Sequence, residues 1–160
     1  MNHKEIHIRY TEYENMQELS AEDRELASMA VEATVNSYAP YSEFHVGAAV
    51  RLTDGTAVTG TNQENIAYPS GLCAERTAMF YAAAKYPDIP METIAIAASS
   101  HGELCREPAT PCGACRQVMA EYQTRGGKPI SIILVGSRKI WKFSCVDDIL
   151  PLIFDSLGKD

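Results

Sequence analysis

Apolar runs of strand type alternate along this chain with amphipathic helical segments. They predict an α/β fold, a three-layer α/β/α sandwich on a mixed sheet of about five strands. Three observations carry that prediction. TIAIAAS at 93–99 and ISIILVG at 130–136 are continuous apolar runs, the pattern of strands covered on both faces. Helical segments lead into these runs, as parallel crossovers require. Asp54-Gly55 stands between two β-rich runs and marks a hairpin, so the sheet also has antiparallel pairs.

The elements follow in order. Residues 1–19 are polar, with some alternation in IHIRY, and read as an N-terminal extension forming a short strand or an arm. Residues 20–160 read as a single domain. Over 20–38, Leu26, Met29, Ala30, Ala33 and Ser37 fall at helical spacing behind a Ser20 cap with Asp23 in the first turn. The hairpin strands cover 46–52 and 57–61. CAERTAMFYAAAK, from Cys73, is rich in strong helix formers and stops before Pro87; PCGACRQVMAEY, from Pro111, is a second such helix ending near Gly126-Gly127. A short strand is expected at 140–143, and a helical tail over 146–157 around Pro151.

Composition narrows the function. At 160 residues and 46% hydrophobic the chain makes one domain with a useful core. A net charge of −7 and a pI near 5.1 argue against a basic nucleic-acid-binding face and favour a small-molecule partner. No apolar stretch reaches the ~20 residues of a membrane helix, and MNHKEIHIRY lacks a signal peptide's apolar region, so a cytoplasmic protein with reduced thiols is expected.

The chemistry lies in Cys73-Ala74-Glu75 and Pro111-Cys112-Gly113-Ala114-Cys115. Three thiolates hold one zinc ion and leave its fourth position to water, whose pKa zinc lowers from ~15.7 toward ~7. A nearby group must still carry protons, and Glu75 is placed to do so without ligating the metal. Two other readings stay open. A closed structural zinc site wants a fourth ligand, and the remaining Cys105 and Cys145 stand alone; a redox pair at Cys112 and Cys115 leaves Cys73 and Glu75 without a role. Both segments open helices, so backbone N–H groups and the positive helix end favour thiolates. Arg76 and Arg116, each directly after a site residue, are candidates to offset the negative charge by bonding sulfur; otherwise they are ordinary solvated arginines. His101 and Cys105 read as incidental, and His45 as packing or solvated.

His-x-Glu followed by Pro-Cys-x-x-Cys is the signature of zinc-dependent nucleobase deaminases, and Cys73 stands here where that signature has histidine. YAPYSEFHVGAAV, GTNQENIAYPSGLCAERTA and TPCGACRQVMAE make the likeness specific. From about residue 38 to 154 the chain resembles the cytidine deaminases, in the small form that works as a homotetramer on free nucleosides. The resemblance implies one zinc per chain on Cys73, Cys112 and Cys115, Glu75 as proton shuttle, and hydrolysis at C4 of cytidine or deoxycytidine in pyrimidine salvage. It also implies that Asn62 and Glu64 hold the ribose, that the backbone of Ala74 reads the base edge, and that Phe44 lies over the pyrimidine. Phe154, and Tyr68 at the site shared between subunits, complete the set. On residue type alone, Asn62 and Glu64 are also plausible turn residues, and Phe44 and Phe154 plausible core. A deaminase of another free nucleoside or analogue is the nearest alternative. A transfer-RNA adenosine deaminase resembles His-Ala-Glu at the first ligand and suits acidic charge poorly. A non-catalytic zinc-stabilised module has no need of Glu75.

Overall fold

The apolar runs of the sequence pair into one mixed sheet. A computed structural model describes residues 1–156. Its strands are β1 (Thr11–Tyr13), β2 (Phe44–Leu52), β3 (Ala57–Thr61), β4 (Met91–Ser100), β5 (Glu103–Leu104), β6 (Ser131–Val135) and β7 (Ile140–Phe143). The order across the sheet is β1-β7-β6-β4-β2-β3, with β5 on β4. β4 and β6 are parallel and the other pairs antiparallel. β2 and β3 join through Asp54-Gly55, where Gly55 takes the left-handed φ of 88° that a tight turn needs. Seven strands replace about five because β1 and β5 are too short to leave a periodic signal.

Each central strand divides its side chains between two layers, as the period of two requires. Ala49, Ala95, Ala97, Ile133 and Val135 face one layer, formed by α1 (Ala21–Ala33) through Leu26, Ala27 and Ala30. Val50, Ile94, Ile96, Ile132 and Leu134 face the other, formed by α2 (Ala74–Lys85) and α3 (Gly113–Gly126) through Ala78, Met79, Ala82 and Met119. Burying each large side chain contributes roughly 1.5–3 kcal/mol, which makes these two interfaces the main source of stability.

Two glycines set how closely helices approach the sheet. A Cβ on Gly60 of β3 would stand 2.8 Å from Ala78 Cα and 2.9 Å from Ala74 O, and nearer still to Ala78 N. Gly47 of β2 meets α1 in the same way, at Ala30 O and Thr34 N. Backbone therefore lies against backbone at both contacts, and α2, which carries the first metal segment, is seated directly on β3.

The α1 helix begins at a Ser20 cap, whose side chain accepts from Asp23 N. It stops at Ala33 instead of running to Tyr38. Thr34 Oγ1 donates to Val31 O, Ser37 Oγ donates to Thr34 O, and 34–36 tighten into a 3₁₀ turn. Buried Asp23 joins α1 to the sheet through Lys142 Nζ and through Arg51 Nη2 at 3.2 Å.

At the chain ends one expectation holds and one changes: a short strand forms within 1–19, and the helical tail does not. Within 1–19, β1 adds to β7 at the sheet edge, Leu19 is buried, and Tyr10 packs on Trp141 and Phe143. The expected helix at 146–157 is a three-residue 3₁₀ turn, Val146–Asp148, followed by non-helical backbone to 156; Leu157 lies outside the described residues. Pro151 lacks an N–H, and side chains of α3 take the backbone groups: Arg116 Nη1 donates to Ile149 O, and Gln117 pairs with both N and O of Phe154. Among the described residues no helix is long and apolar enough to cross a membrane.

Candidate active site

The N-termini of α2 and α3 meet, and the cysteines are their caps. Cys73 is the N-cap of α2 and its sulfur makes no capping bond, so the sulfur is free for a metal. Cys112 caps α3, its sulfur accepting from Cys115 N at 3.4 Å. Sγ of Cys112 lies 3.3 Å from that of Cys115 and 3.9 Å from that of Cys73, and all three sulfurs lie within 4.8 Å of one another.

Tetrahedral zinc with Zn–S bonds of ~2.3 Å sets its sulfurs about 3.8 Å apart, so this donor set fits the ion. Cys115 is buried and Cys112 exposed, so the site opens to one side. The protons of the thiols are shared unequally. A hydrogen bond from Cys115, helped by Arg76, holds Cys73 down at about 5, while Cys115, as donor and buried, is pushed up.

Glu75 lies in the first turn of α2, 5% exposed, and falls outside the group of converging ligand atoms. Burial raises its carboxyl above the ordinary value, and the nearby charge of Cys73 raises it further. A carboxyl of raised affinity beside a metal site, on rigid backbone, is suited to accept and return a proton. Ala74, between ligand and acid, is fully buried.

Arg76 and Arg116 separate. Arg76 Nη2 donates to Cys73 Sγ at 3.6 Å. Arg116 is instead a backbone clamp, donating from Nε to Pro111 O at 2.8 Å and from Nη1 to Ile149 O at 2.9 Å, so it does not serve as a sulfur partner.

A cavity of about 540 Å³ opens beside these residues, lined among others by Tyr41, Ser42, Asn62, Glu64, Tyr68 and Cys73. Stitching of the segment after β3 creates it. Tyr38 N donates to Asn62 O, Glu64 N to Tyr38 O, and Gln63 and Leu72 exchange two backbone bonds. Asn62 and Glu64, two apart on this extended segment, both line the cavity. The Asn62 amide grips the start of β2, Oδ1 accepting from Val46 N and Nδ2 donating to Phe44 O, each at 2.8 Å. One N–H and one lone pair of that amide remain. Glu64 accepts from Tyr41 N at 2.8 Å and from Ser42 Oγ, and these bonds, Ser42's first, hold its carboxyl below the ordinary range.

Tyr68 lines the cavity edge-on to Tyr41, with ring centroids 6.0 Å apart. Phe44 is exposed at the start of β2 and is not among the cavity-lining residues. Phe154 is also exposed and is held by Gln117 on α3. His45 bonds Ser37 Oγ at 2.6 Å, and His101 and Cys105 lie outside the converging sulfurs. Sequence reasoning passed over Tyr41 and Ser42, although both lie in the YAPYSEF segment; their roles depend on a contact made 22 or more residues away.

Comparison with known proteins agrees with this geometry. Residues 20–126 match the model of the cytidine and deoxycytidylate deaminase zinc-binding region. The chain is 45% identical over 96 residues to a cytidine deaminase of Halalkalibacterium halodurans, covering 60% of this chain and 68% of that one. To a cytidine deaminase of Mycobacterium tuberculosis it is 38% identical over 108 residues, covering 67% and 74%. The crystal structure of cytidine deaminase from Burkholderia pseudomallei superposes with a TM-score of 0.68 at 40% identity, covering 81% of this chain and 97% of that one. Two thiolate segments at paired helix ends, with the buried Glu75 carboxyl in the first of them and a match over most of the chain, place this protein in the cytidine and deoxycytidylate deaminase family.

Proposed function

We propose that the chain hydrolyses free cytidine and deoxycytidine to uridine and deoxyuridine with release of ammonia. The observation that carries this is the three converging sulfurs with buried Glu75 in the helix turn that Cys73 caps, and a cavity large enough for a nucleoside that Cys73 and Arg76 help to line. Zinc on those sulfurs supplies the nucleophile by lowering the pKa of a water toward ~7.

Glu75 takes one proton from the attacking water and passes it to ring N3 as the C4–O bond forms. It then carries the remaining hydroxyl proton to the amino nitrogen, which leaves as ammonia when the C4–N bond breaks. Its raised proton affinity suits both acts. The backbone of Ala74 reads the base edge. Asn62 and Glu64 take the ribose hydroxyls, Glu64 as a fixed anionic acceptor. Phe44 stacks on the pyrimidine, and Tyr68 borders the site. Arg76 offsets the charge of three thiolates, supported by its bond to Cys73.

The protein works as a cytoplasmic homotetramer in pyrimidine salvage, its domain comprising 20–160. Exposed Tyr68 and Phe154 have open faces that a neighbouring subunit would cover, with Phe154 reaching the neighbour's site. Ultracentrifugation tests this, a monomer at micromolar concentration counting against it. The decisive measurement is the ultraviolet spectrum of cytidine and deoxycytidine with zinc-loaded protein. Conversion to the uridine spectrum, abolished by a chelator, supports the reading. No conversion of either nucleoside with one zinc per chain bound overturns it.

A further inference from the structure

Ser42 occupies a junction that no catalytic role explains. Its hydroxyl donates to Glu64 Oε1 and accepts from Phe44 N at 3.1 Å, and its own N donates to Glu64 Oε2 at 3.3 Å. Tyr41 N holds the same Oε2 at 2.8 Å. The residue between Ser42 and Phe44, Glu43, has φ of 53°, a left-handed conformation that costs a non-glycine residue about 1–2 kcal/mol. This reversal accompanies the return of Phe44 N toward the Ser42 hydroxyl. On its other side Phe44 is held by Asn62 Nδ2 through its carbonyl. The proposed sugar acceptor and the proposed base-stacking residue thus share one hydroxyl.

We propose that Ser42 is a positioning residue for nucleoside recognition, acting through Glu64 by fixing the carboxylate that accepts from the sugar. The inference rests on the deaminase reading and on Glu64 as sugar acceptor, and goes beyond both. A glutamate side chain has three rotatable torsions. With its backbone segment stitched to Tyr38 and its carboxylate held by three donors from 41–42, it presents its remaining lone pairs in one direction. Without the hydroxyl only the two backbone donors remain, both on Oε2, and Oε1 loses its partner. Substrate then has to order the carboxylate on binding, a cost that falls on KM.

The test is steady-state deamination of cytidine by zinc-loaded protein carrying Ser42→Ala, Ser42→Thr, Glu64→Gln, or Ser42→Ala with Glu64→Gln. Ser42 is exposed, so its variants keep the fold. Expected for Ser42→Ala is a KM raised about tenfold, equivalent to about 1.4 kcal/mol, with kcat within about threefold. Ser42→Thr, which keeps the hydroxyl, returns KM most of the way. The double variant has the KM of Glu64→Gln alone, because the hydroxyl acts through the carboxylate. A wild-type KM in Ser42→Ala, failure of Ser42→Thr to restore it, or a fully additive double variant overturns the proposal. Wild-type protein that leaves cytidine unchanged overturns the deaminase reading itself, and a wild-type KM in Glu64→Gln overturns the sugar-acceptor role.

Discussion

Gly60 offers the most direct test of how the sheet governs the chemistry. Replacing it with alanine puts a methyl group 2.8 Å from Ala78 Cα and 2.9 Å from Ala74 O, nearer still to Ala78 N. All three are backbone atoms of α2, so no side chain can rotate aside. Restoring an ordinary ~3.5–4 Å separation needs α2 to move away from β3 by about 1 Å. Overpacking of this kind costs about 1–3 kcal/mol.

The same movement carries Cys73 and Glu75 with the helix while Cys112 and Cys115 stay on α3. Cys73 Sγ now lies 3.9 Å from Cys112 Sγ, close to the ~3.8 Å of tetrahedral zinc, and a 1 Å shift spoils that match. A displacement of ~1 Å at a reacting centre costs about 10²-fold in rate. Urea titration, zinc stoichiometry and cytidine turnover on Gly60→Ala measure the three consequences. A wild-type urea midpoint together with wild-type kcat/KM would refute the claim that backbone contact at Gly60 fixes the position of α2.

Three further outcomes are expected. Glu75→Gln retains one zinc per chain and the fold but loses ~10²–10⁴ in kcat, the range of acid–base catalysis; unchanged turnover with full zinc would remove Glu75 from proton transfer. Cys112→Ala loses both zinc and activity, and stoichiometric zinc at full activity would take Cys112 out of the ligand set. Asp23→Asn weakens the tie of Lys142 and Arg51 to α1 and lowers stability by about 3 kcal/mol at pH 7, the low end for breaking a buried pair since Lys142 is part-exposed. Burial opposes ionisation of Asp23, yet its bonds to Lys142 and Arg51 outweigh burial and lower its pKa. Its contribution is therefore complete above the unfolded value of ~3.9 and lost as pH falls through the lower folded value, so the gap between wild type and variant closes only below about pH 4. A gap already closing at pH 6 in denaturation curves would contradict this sign.

What could be read from the sequence was whatever depends on near neighbours. The hairpin at Asp54-Gly55, the buried runs that became β4 and β6, and the helices opening at both metal segments are set by local pattern and recur in the structure. Cys73, Cys112 and Cys115 were legible because metal chemistry imposes short, fixed spacings. Distant partners decided the rest. Residues 1–19 read as a short strand or an arm, and only β7 beside Thr11–Tyr13 decides between the two. The tail after Asp148 has helical composition, but Arg116 and Gln117 claim its backbone. Ser42 and Tyr41 look like loop residues until Glu64, more than twenty residues on, reaches back to them.

The two metal segments also have a mechanical meaning. Cys73 and Cys112 are 39 residues apart in sequence, and the chain between them contains all of α2, β4 and β5. An ion bonded to both closes that stretch into a ring. For a covalent bridge of this span, loop-closure entropy withdrawn from the unfolded chain is worth about 4 kcal/mol. The ion that supplies the chemistry is at the same time a cross-link, and its binding free energy is partly free energy of folding. Thermal resistance should accordingly track occupancy, with chelator-treated protein melting earlier and α2 loosening against α3 first.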